Sequence, residues 1–98
     1  MIIKIRLGEA YYKNGFIYFK KEYQDHFGDH DSYVNVCLGN WNSVPLKAKI
    51  NRNAQPSHSP RLMMGSEFTK WIQTNYNLGE FVSVEILNPK YPNSILMR

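Results

Sequence analysis

A single cysteine, Cys37, rules out a disulfide framework within the chain and a cysteine-based zinc site, and it reads as a small buried hydrophobe. Acids are also scarce, and unevenly so: none occurs from Ser32 through Ser66. No apolar run approaches the ~20 residues that span a membrane. Charge at Lys4 and Arg6 interrupts the N-terminus too early for a secretory signal, which fits a reducing cytoplasm. There is no glycine-rich phosphate cradle, no serine elbow and no acid-x-acid-x-Lys strand of a nuclease. His26 and His30 stand four apart beside Asp29 and Asp31, but Gly28 interrupts the helix that would aim both at one ion. The chain reads as non-catalytic, with no metal or other cofactor of its own.

The 98 residues are enough for one domain and one core. Hydrophobic residues make up 43% and aromatics 14%, which places the chain among globular rather than disordered sequences. The net charge of +4 favours a polyanionic partner.

Along the chain, Ile3, Ile5 and Leu7 alternate with Lys4 and Arg6, a strand with a basic outer face. Gly8 breaks it, and residues 8–15 read as a loop or irregular hairpin, with Asn14-Gly15 as the turn. Phe16–Phe19 is the return strand. Phe19, Tyr23 and Phe27 fall on one stripe of a short helix that Gly28 ends. Strands follow at Tyr33–Leu38, Val44–Ile50 and Arg61–Met64. A second helix starts with Ser66 as N-cap and carries Phe68, Trp71 and Ile72 on its core face. Phe81–Leu87 is a strand, Asn88–Asn93 a turn and Ser94–Met97 a last strand. Seven short strands and two short helices predict a mainly β, seven-stranded open pseudobarrel, with the helices plugging its ends.

Two connections carry chemistry, and both are flanked by basic strands. The first, about Gly8–Asn14, presents Arg6, Glu9, Tyr11, Tyr12, Lys13 and Asn14. The second, Asn51–Ser59, presents Lys49, Asn51, Arg52, Asn53, Gln55, Ser57 and His58. Arg or Lys suits guanine O6 and N7, Asn or Gln suits adenine, and an acid accepts from cytosine N4. These thirteen residues are the base-edge candidates, with the two tyrosines placed to pack on sugar or a thymine methyl. Glu9 has a second reading, as a surface acid paired to Arg6 or Lys13. Lys4, Lys20, Lys21, Lys47, Arg61 and Lys70 are phosphate candidates. Two loops on one side of the barrel would form the jaws of a clamp on double-stranded DNA.

Three segments resemble the B3-type DNA-binding domains. Phe16–Phe27 looks like that family's strand end and first helix, Arg61–Trp71 like its approach to the second helix, and Asn75–Val84 like its Asn-x-Leu-x-x-Gly-Asp-x-Val pattern. Together they run in register along almost the whole chain. Lys20 stands where the family usually has Pro, Ser66 where plant members have Trp, and Glu80 where Asp is usual. These departures point away from plant transcription factors and towards the N-terminal effector or specificity domains of EcoRII-type restriction endonucleases. The resemblance implies a B3-like pseudobarrel whose N-arm and C-arm are these two loops. It implies a domain that cuts nothing itself and binds a short site, such as 5′-CCWGG; separately, no coiled coil or long apolar edge in the sequence demands a dimer, so a monomer is expected. A covalently linked nuclease domain, the only part expected to need Mg2+, would do the cleaving.

Two other classes remain. An OB-like single-strand binder predicts that Tyr11, Tyr12 and Tyr33 share an exposed sheet face. A protein-interaction or inhibitor domain predicts no salt-dependent DNA binding.

Overall fold

The computed structural model describes residues 1–86 and 94–98, so the turn expected over Asn88–Asn93 lies outside the described residues. Strands β1 (Ile2–Arg6), β2 (Phe16–Tyr18), β3 (Tyr33–Leu38), β4 (Leu46–Asn51), β5 (Arg61–Met63), β6 (Phe81–Ile86) and β7 (Ser94–Met97) form one curled sheet in the order β1-β6-β7-β3-β4-β5-β2. All pairs are antiparallel except β3–β7. Edge strands β1 and β2 do not bond to one another, so the barrel is left open along a seam, as the strand pattern predicts.

Alternation sets which face is buried. Val34, Val36, Ala48, Ile50, Leu62, Val82, Val84, Ile95 and Met97 point inward and are almost fully buried, while Lys4, Arg6, Lys47 and Lys49 point out. Helix α2 (Ser66–Asn75) closes the core with Phe68 and Ile72, both buried. Gly65 takes the N-cap position with φ 79°, and Ser66 is the first helical residue rather than the cap. The stripe of Phe19, Tyr23 and Phe27 is met, but by a 3-10 helix over Lys21–His26. The Phe19 and Phe27 rings lie 4.6 Å apart beneath it.

A third helix was not expected. Glu9–Asn14 folds as α1, where sequence patterning suggests a loop or hairpin. Gly15 takes φ 69° as the helix C-cap, so Asn14-Gly15 ends a helix with the same positive-φ tolerance that would make a hairpin turn. The Gly15 carbonyl accepts from the Met64 and Gly65 amides at 2.8 and 2.9 Å, tying α1 to the start of α2. A Cβ on Gly15 would sit 2.5 Å from the Gly65 carbonyl oxygen. Gly15→Ala is therefore expected to cost at least about 1–2 kcal/mol from its left-handed backbone alone. The denaturation midpoint should fall with an unchanged m-value.

Candidate nucleic-acid interface

The outer face of β4, β5 and β2 gathers the basic strand residues into rows. Tyr33, Lys49, Met63 and Phe16 are successive cross-strand partners, as are Asn51, Arg61 and Tyr18, and Asn35 lies opposite Lys47. No acid occurs on these strands. Asp31, in the turn before β3, reaches Lys49 at 3.4 Å. The Arg61 guanidinium stacks 3.8 Å from the Phe16 ring centroid and 5.5 Å from that of Tyr18, with Nη1 donating to the Tyr18 hydroxyl at 3.4 Å. Stacking of this kind holds the planar cation without neutralising it. Sequence patterning does not single out Phe16 and Tyr18, both half-buried on this face, although the alternation of β2 places them there.

The 52–60 connection between β4 and β5 is built around Arg52. Its side chain turns inward: Nε donates to the Gly28 carbonyl at 2.8 Å, and Nη2 to those of Gln24 and Phe27 at 2.8 and 2.9 Å. These carbonyls lie at the end of the 3-10 helix and just beyond it; that of Gln24 also accepts from the Phe27 amide. The Arg52 amide donates to His30 Nδ1, and its carbonyl lies 3.0 Å from His58 Nδ1. Arg52 is thus a strut of the loop, where sequence patterning suggested a base reader. Asn51 Oδ1 accepts from the Asn53 amide at 2.8 Å, an Asx turn. Ser57 and Ser59 hydroxyls are 3.0 Å apart. His58 adopts φ 60°. Asn53, Ser57 and His58 are exposed, and Gln55 is half-buried.

On the other connection, Glu9 pairs with Lys13 at 2.8 Å across one helical turn. That pair, the second reading of Glu9, also holds its carboxyl below the usual range. Tyr12 points toward α2 and donates to the Tyr76 carbonyl at 2.9 Å, and Tyr11 packs edge-on against Phe16 at 5.9 Å. Asn14 is exposed at the helix end. Lys13 and Lys70 face a shallow depression beside the first turn of α2. Because Tyr11 and Tyr12 lie on a helix and Tyr33 on β3, the three tyrosines do not share a sheet face.

The two connections leave the β2–β5 ladder at opposite ends. The strands are antiparallel, and each connection precedes its strand, so Gly15 lies by Met64 while Pro60 bonds to the Phe19 amide. The loops therefore do not stand side by side as a pair of adjoining jaws. They flank the outer face from the two ends of a ladder only about 7 Å long.

The remaining basic candidates collect elsewhere. Lys4 and Arg6 of β1 and Lys20 line the seam between the sheet edges, with Tyr11 and Tyr18, and Lys21 is exposed at the start of the 3-10 helix. Burial pushes the Tyr11 phenol above its ordinary value near 10. An acid whose folded pKa is raised contributes stability that is present below the unfolded value and is lost as pH rises through the folded one. Stability should thus fall above about pH 10, and Tyr11→Phe should make that fall shallower in alkaline denaturation curves.

Among the described residues, no three His, Cys, Asp or Glu side chains group to hold a metal, and no helix is long and apolar enough to cross a membrane. The molecule is a mainly β, open half-barrel with a basic, acid-poor outer face. No family profile, curated protein or solved structure matches the chain.

Proposed function

We propose that this domain binds double-stranded DNA sequence-specifically through the outer face of β4, β5 and β2, flanked by α1 and the 52–60 connection. The observation that carries this reading is that Lys47, Lys49, Asn51 and Arg61 share one face on strands without an acid. Lys47 and Arg61 contact phosphates, and Lys49, Asn51, Asn53, Gln55 and His58 reach base edges. A major groove about 12 Å wide suits a reading surface of this size. The B3-type resemblance, whose N-arm and C-arm are these two connections, supports the same reading. By that resemblance the domain is the non-catalytic effector or specificity part of a restriction endonuclease, whose linked nuclease domain performs cleavage with Mg2+.

Selection of bound duplexes from a random DNA pool tests the proposal. A short enriched site, with affinity that falls steeply with salt, is expected. A pool that returns no enrichment, or single strands that outcompete duplex, would overturn it.

A further inference from the structure

The seam between β1 and β2 carries an inference beyond the duplex-binding face. It is a cleft of about 380 Å³ with β1 as one wall and Tyr18, Phe19 and Lys20 as the other. That volume suits one small ligand. It is too small for a duplex. Lys4, Arg6 and Lys20 line it, and among the described residues no acid does. None of these three cations makes an ion pair among the described residues. Lys4 and Arg6 lie on the same face of β1, about 7 Å apart along the strand. Tyr11, Tyr18 and Tyr23 also line it, as do Ile3 and Ile5.

Among the described residues, β1 bonds only to β6, and β2 only to β5. The other side of each backbone therefore faces the seam, where the Arg6 carbonyl accepts from the Gly8 amide and the Tyr18 backbone hydrogen-bonds the Tyr11 phenol. Unpaired cations along one cleft suit a phosphate, whose several anionic oxygens can engage more than one of them, with the Arg6 guanidinium at the end beside Gly8 and Gly79. Phenol walls suit the π-face of a ring. A carboxylate would leave the aromatic walls unused, and an apolar ring would leave three cations unpaired.

We propose that this cleft binds a single nucleotide, its base among the tyrosines and its phosphate on Lys4, Arg6 and Lys20. The nucleotide is either free or one unit of a DNA strand turned out of its stack. The free-nucleotide form is independent of duplex recognition, and the DNA form rests on it.

The test is NMR titration of the protein with the four deoxynucleoside monophosphates, beside deoxynucleosides and inorganic phosphate. At least one monophosphate is expected to shift cleft resonances with a Kd of about 1 mM or tighter. Lys4→Gln with Lys20→Gln, at exposed positions that leave the fold intact, should weaken it about tenfold or more. A second arm places 2-aminopurine at each position of a bound duplex, where a rise in fluorescence marks an extruded base. Monophosphate binding with that rise assigns the ligand to DNA, and binding without it assigns a free nucleotide. No cleft shifts up to about 10 mM of any monophosphate, inorganic phosphate reproducing the same shifts, or binding unaffected by the double variant would each overturn the proposal. Because the first arm contains no duplex, its failure is separate from any failure of duplex binding.

Discussion

Lys47→Glu combined with Lys49→Glu is expected to lower duplex affinity by about a hundredfold or more at low salt and to flatten the salt dependence by about two counterions. Both side chains stand on the outer face of β4, and the inward residues between and beyond them, Ala48 and Ile50, are buried. The reversal places repulsion at the centre of the proposed interface and leaves the core as it is. Reversal at 49 also sets an acid against Asp31, now 3.4 Å from the lysine amine, so part of the loss is local. Lys47→Ala alone separates the two effects, because it should weaken all duplex sequences about equally. Binding isotherms at several salt concentrations check this, and duplex affinity and salt slope unchanged in the double variant would remove β4 from the interface.

Arg52→Ala should be the most damaging single change in the loops, and its loss should appear as stability first. Three carbonyls, of Gln24, Phe27 and Gly28, lose a charged donor in a partly buried setting. Such bonds are individually worth up to about 3 kcal/mol, and they act as a unit, so a total near 2–4 kcal/mol is expected. Arg52→Lys should restore only part of this, since one ammonium cannot reproduce a planar fork. Denaturation curves measure the cost. Duplex affinity should fall as well, because the 52–60 connection loses its anchor to the 3-10 helix. A variant with full stability but relaxed preference at one base pair would instead return Arg52 to the DNA.

The strands were legible because their signals are local. Lys47-Ala48-Lys49-Ile50 alternates in and out, and the inward residues are the core. Helix α1 was hidden because Glu9–Asn14 is only six residues long, buries no side chain fully and ends in a dipeptide that serves hairpins and helix caps alike. The structural role of Arg52 was hidden for a different reason. Residue type suggested base reading, but its partners lie 24 to 28 positions earlier in the chain, and nothing in a local pattern marks them. The seam was equally hidden: Lys4 and Lys20 come together only because β1 and β2 are the two edges of a curled sheet. Their charge was visible in the sequence, but their proximity depends on strand order, which periodicity does not encode. The same ordering separates the two connections to opposite ends of a short ladder.

That strand order also bears on how the chain reaches its native state. β7 joins two halves of the sheet, with β6 and β1 on one side and β3, β4, β5 and β2 on the other. The second half contains the β3–β4 hairpin and can begin from neighbours close in sequence. β1 has no such partner, since Ile2 pairs with Glu85 and Arg6 with Phe81. Closing a loop of that length comes before any reward from contact, which slows folding and favours late docking of β1. Until then, Ile3 and Ile5 lack their native cover, and the alternating Lys4 and Arg6 act as gatekeepers against pairing with another chain. The same two cations that line the open edge in the finished fold would thus protect the chain while that edge is still being made.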